Sequence, residues 1–169
     1  IAKHLNMNYK LAYEDIKRLE NEKIILIKKL GNSNQCSYNF KFNEKALIAE
    51  NQRKERLLKN KNIKVVYTRL NEIISPFYIC LIFGSFSSGD VKKNSDIDLC
   101  IISDDAEIKI KASKIIRTIS LNIHYLDFSV KEFLSMLNKT ENNVGKEIIK
   151  NNVILKGVEQ LYEMINYAR

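Results

Sequence analysis

Two aspartates one residue apart, Asp96 and Asp98, follow a serine-bearing glycine turn, Gly84-Ser85, and a polar stretch between them holds Gly89 and Ser95. In a strand, side chains at i and i+2 point to one face. An apolar run over Ile97 to Ile102 would therefore present both carboxylates together. Two like charges so placed repel unless a cation sits between them. Oxygen-only ligands suit a hard divalent ion, which also takes substrate phosphates. Gly84 lets backbone approach a ligand closely, and Ser85 offers N–H and hydroxyl donors to phosphate oxygens. The chemistry implied is metal-assisted transfer at phosphorus.

The elements that must hold these residues are legible as hydrophobic patterns. Phe77 to Phe83 is an apolar run rich in β-branched and aromatic residues, the mark of a buried strand. Before it, Val65 to Ile74 is amphipathic and ends ahead of Pro76, where helices usually stop. After the Ile97 strand, residues 105–118 carry Ile108, Ala112, Ile115 and Ile116 on one side of an expected helix. Residues 122–128 follow as a strand with Asp127 near its end. Helices over 130–137 and 142–150, a short extended piece at 153–157 and a helix over 158–167 complete the reading.

Gly84-Ser85-x3-Gly89-x5-Ser95-Asp96-Ile97-Asp98-Leu99 between two apolar strands resembles the signature of the DNA polymerase β-like nucleotidyltransferase superfamily, in particular its small, minimal members. The resemblance covers residues 65–169 and implies a small mixed-sheet fold. It implies a nucleoside triphosphate as substrate, held by Gly84, Ser85, Gly89 and Ser95, with Lys92 and Lys93 as further candidates to steady it. Asp96 and Asp98 would bind Mg²⁺, two ions in all. A third carboxylate is expected on the strand after the Asp-x-Asp strand, and Asp127 is the acid best placed in sequence to be that catalytic ligand. Asp104, Asp105 and Glu132 are the substitutes. The chain departs from its relatives in having Ser88, where many carry a basic residue before the second glycine.

Composition frames the rest. The chain has 169 residues and a formal net charge of +8. Residues 1–64 hold 15 Lys/Arg against 7 Asp/Glu, and the remainder 13 of each, so the whole excess lies ahead of the motif. Such asymmetry points to a nucleic-acid-facing part joined to a neutral one. Cys36, Cys80 and Cys100 show no metal-binding spacing, which fits a reducing cytoplasm. No apolar stretch approaches the ~20 residues of a membrane helix.

The leading segment reads as the end of a short helix at 1–6, a turn, a helix from Tyr9 to Lys23 and a hairpin tipped by Gly31-Asn-Ser-Asn34. It resembles a winged helix-turn-helix over 1–42, which implies a first helix upstream of Ile1. In that arrangement Asn8, Tyr9, Lys10, Tyr13 and Lys17 would face DNA bases, and Lys28 and Lys29 on the wing would meet phosphate. Residues 43–64, polar and free of Pro and Gly, are expected as a solvent-bathed helical connector. The combined expectation is an α/β (α+β) chain, a winged helix joined to a Mg-dependent nucleotidyltransferase, dimeric and cytoplasmic. Its acceptor would be a small molecule, a nucleic acid or a protein such as a HEPN-type toxin. The alternative is a DNA-binding regulator whose transferase domain only binds nucleotide or a partner.

Overall fold

The computed structural model describes residues 1–92 and 95–168. Residues 1–6 form a single turn, with Leu5 N–H donating to the Ile1 carbonyl at 2.9 Å. Helix α1 (Tyr9–Asn21) starts where Asn8 accepts a hydrogen bond from Lys10 N–H, a side-chain cap that satisfies a helix-end donor. Strands β1 (Ile25–Leu30) and β2 (Ser33–Tyr38) pair antiparallel through a two-residue link. Gly31 there takes φ +57°, the left-handed backbone that such tight hairpins demand.

Helices α2 (Glu44–Leu57) and α3 (Lys61–Leu70) follow, capped by Asn43 and Asn60. The rest runs β3 (Ile79–Phe83), the single turn α4 (Ser85–Ser88), β4 (Ile97–Ile102), α5 (Ala106–Arg117), β5 (Ile123–Phe128), α6 (Val130–Asn138), α7 (Val144–Lys150), β6 (Asn152–Lys156) and α8 (Val158–Tyr167). Strand β3 starts two residues later than its apolar run; Phe77 stays largely in solvent.

The sheet is mixed, in the order β5-β4-β3-β6. β3 pairs antiparallel with both β4 and β6, while β4 and β5 are parallel and joined through α5, as a parallel pair requires. Alternation sorts the strands onto two cores. Cys80, Ile82, Leu99 and Ile101 pack with Ile63, Val66 and Leu70 of α3 and with Ile108 and Ala112 of α5. Leu81, Phe83, Cys100 and Ile102 pack on the other face with Phe133, Ile148, Leu161 and Ile165. Burial pushes the Cys80 thiol up to about 12 and raises Cys100 likewise, so neither is a nucleophile at neutral pH.

The segment expected as a solvent-bathed connector is two helices, and the first is docked on the sheet edge. Ala46 is buried, and so is the carboxylate of Glu50. Burying that charge requires partners. Arg53 Nη1 donates to both Glu50 oxygens at 3.0 and 2.9 Å, and Tyr162 OH donates to Oε1 at 3.0 Å. The other arm of Arg53 donates to the Asn152 carbonyl on β6. Tyr38, Phe40 and Phe42 meet the Tyr162 ring edge-on, which seats the hairpin's end on α8. Among the described residues no helix is long and apolar enough to cross a membrane.

Tyr162→Phe keeps the ring contacts and removes one donor from a buried carboxylate. It is expected to cost about 1–3 kcal/mol, read as a lower urea midpoint with an unchanged m-value. An unaltered midpoint would mean that Glu50 does not depend on the tyrosine.

Candidate active site

The antiparallel register of β3 and β4 sets Phe83 directly opposite Asp98. The residue after Phe83, Gly84, therefore turns away beside the Asp98 side chain. Gly84 has φ +65°, and a Cβ there would lie 2.2 Å from Asp98 Oδ2. Only glycine fits, on both steric and backbone grounds. The chain then winds into α4, where the Ser87 and Ser88 amides donate to the Gly84 carbonyl and the Gly89 amide donates to Ser85. Gly89 closes this turn in the left-handed region at φ +85°. The Ser87 hydroxyl donates to the Gly84 carbonyl at 2.8 Å and Asn151 O lies 2.9 Å away, tying the turn to the start of β6.

Of the residues singled out from sequence, Gly84, Ser85 and Asp98 are thus brought together. Asp96 sits exposed just before β4, two residues from Asp98. Ser95 accepts a hydrogen bond from Lys92 N–H at 2.8 Å and shapes the loop leading to the aspartates. Lys93 lies outside the described residues.

Asp127 is elsewhere. The parallel register pairs Ile101 with Asp127, whereas Asp98 pairs with His124. An odd offset along a strand reverses the face. Leu126 and Phe128 go with the Asp98 side of the sheet, and Tyr125 and Ile123 with the opposite core. Asp127 lies at the far end of β5 with the second group, 4.0 Å from Lys109 Nζ on α5. The group beside Asp98 is His124, whose Nδ1 is 3.0 Å from Asp98 Oδ1. The three substitutes have structural duties. Asp104 accepts from Val130 N–H and Asp105 caps α5. Glu132 closes a capping box with Ser129, whose hydrogen bonds hold its carboxyl below the usual range.

Among the described residues no three His, Cys, Asp or Glu side chains gather closely enough to enclose a metal ion. The acids at this end of the sheet are Asp98, partly buried on β4, and Asp96, exposed just before the strand. Such a partial oxygen set fits an ion like Mg²⁺, which keeps several positions for water and substrate phosphate and is rarely caged by protein alone.

At the other end of the chain, α1 exposes Tyr9 and Tyr13, stacked with centroids 6.5 Å apart. Lys10, Lys28 and Lys29 are exposed as well. Asn8 is spent as the helix cap. Lys17 is bound to Glu20 at 2.7 Å, and that hydrogen bond and ion pair raise its pKa.

Residues 80–155 match the family model described as a nucleotidyltransferase domain. A comparison with curated proteins finds no match. Among solved structures, one similar chain comes from a toxin-antitoxin with AMP-PNP, at 18% identity and a TM-score of 0.42, covering 62% of this chain and 80% of that one. Another comes from a mutant of the toxin-antitoxin MntA-HpeT, at 19% identity and a TM-score of 0.39, covering 64% and 80%. The matched span runs from β3 through β6 and takes in the glycine turn and both aspartates. Over this span the chain is similar to a nucleotidyltransferase domain, the domain of an enzyme.

Proposed function

We propose that the protein moves a nucleoside monophosphate from a nucleoside triphosphate to an acceptor hydroxyl, with Mg²⁺ held at Asp96 and Asp98. The observation that carries this reading is the seating of the Gly84-Ser85 turn on the Asp98 carboxylate, with no space for a side chain between them. That contact joins a phosphate-binding turn to a metal-binding acid. Ser85, with the backbone of the turn, holds the triphosphate. His124 and the turn together hold the Asp98 carboxylate in place from two sides. Asp96 and Asp98 would hold the metal with phosphate oxygens, and it would neutralise charge developing on pyrophosphate. The acceptor oxygen forms its bond to the α-phosphorus in line as the bond to pyrophosphate breaks. The hydroxyl proton passes to the carboxylate pair. Asp127, on the far face, takes no part.

The exposed Tyr9, Lys10, Tyr13, Lys28 and Lys29 support a DNA-facing role for residues 1–42 within the same proposal. Lys17, already paired with Glu20, is not counted among the base-facing residues.

Labelled-nucleotide transfer separates the acids. Asp98→Ala and Asp96→Ala are each expected to lose about 100-fold or more of the rate, while Asp127→Ala stays near wild type. Equal loss in Asp127→Ala would overturn the assignment. Gly84→Ala should destabilise the fold by about 1–3 kcal/mol and abolish transfer, as read by thermal melting beside the rate. Retention on duplex DNA should weaken with salt, and Lys28→Ala with Lys29→Ala should reduce the log–log slope by about 2. A slope that is flat from the outset would remove DNA from the proposal.

A further inference from the structure

The turn that holds phosphate in this reading contains no cation: Ser85 to Gly89 is Ser-Phe-Ser-Ser-Gly. A cation nevertheless stands beside it, from a distant part of the sequence. Ser87, Ser88 and Gly89 share the wall of a cavity of about 340 Å³ with Arg53, Arg56 and Asn60 at the end of α2. No carboxylate lines that wall. Glu50, Glu55 and Asp90, the acids next to this wall in sequence, do not line it, and Glu50 is already bound by Arg53 and Tyr162.

The two arginines are in different electrical states. Arg53 spends its fork on Glu50 and on the Asn152 carbonyl, so its charge is compensated. Arg56 is exposed and makes no ion pair or side-chain hydrogen bond among the described residues. An unpaired guanidinium on the wall of a cavity that no carboxylate lines is a binding group for a tetrahedral polyanion, which it engages through two parallel N–H donors. Turn α4 links this cavity to the metal-binding end. Gly84 abuts Asp98 at its start, and Gly89 lies in the Arg56 wall at its finish. Four residues of helix rise about 6 Å, a span that a triphosphate tail can bridge.

We propose that Arg56, delivered by α2, binds the terminal phosphates of the nucleoside triphosphate, making α2, two helices upstream of β3, part of the substrate site. The proposal rests on the nucleotidyltransferase reading above. Arg53 acts as a positioning residue, because its bridge between Glu50 and β6 fixes where α2 ends. Asn60, which caps α3 through its Oδ1, keeps an amide at the cavity's edge.

Calorimetric titration of the full chain tests this with Mg·ATP, inorganic tripolyphosphate and AMP as the probes. Arg56→Ala is expected to weaken Mg·ATP and tripolyphosphate about tenfold and to leave AMP unchanged. In the transfer assay its KM for the nucleotide rises while kcat holds, and Arg56→Lys recovers part of the loss. Because Arg56 is exposed, its replacement should leave the melting temperature unaltered. Wild-type binding of tripolyphosphate by Arg56→Ala, with Asp98→Asn still abolishing turnover, overturns the arginine's role alone. Equal weakening of AMP also overturns it. A wild-type protein that binds none of the three probes removes the nucleotide reading and this proposal together.

Discussion

The constraint on which the molecule depends is the pairing of β3 with β4. Phe83 opposite Asp98 leaves the chain no route out of β3 except across a carboxylate, and glycine is the one residue that can take it. Both strands are buried along most of their length, so neither can slip by one residue without turning a whole apolar set outward. Register is thereby locked by hydrophobic burial, and the polar site at the sheet's end inherits that rigidity. The helices on the two faces serve this pairing.

The second organising feature is a buried charge. Glu50 would be costly in isolation, yet Arg53 and Tyr162 surround it and tie α2 to β6 and α8 in one stroke. The same network meets Tyr38, Phe40 and Phe42, so the hairpin, the helix that follows it and the transferase sheet share one packed seam. The geometry of the α2 end, and of the arginines it carries, follows from this seam.

Much of the fold was legible because burial and periodicity agree. The Ile97–Ile102 strand and the helices over 106–117 and 158–167 match their apolar patterns closely, whereas the hairpin's polar return strand begins at Ser33, inside the expected Gly31–Asn34 tip. Phe83, Gly84 and Asp98 also stood out, since glycine and paired acids at the ends of apolar runs have few other uses. Three things were harder to see. The connector's docking rests on Glu50, and a lone glutamate on a charged helix gives no sign that it will be buried. The break before α3 depends on Asn60 as a cap in a run with neither Pro nor Gly. Asp127 was favoured as the nearest acid on β5, although aligning the starts of two parallel strands, Ile97 with Ile123, sets His124 beside Asp98. Strand parity carried the signal, and residue type obscured it.

The three thiols divide sharply by environment. Cys80 and Cys100 are sealed within the sheet, one facing each core, while Cys36 sits half-open on β2. A maleimide dye offered to the native protein would thus report from a single place, on the hairpin that leans against α8. The chain comes with its own optical handle, mounted on the arm most able to sense whether the leading segment and the catalytic sheet move as one.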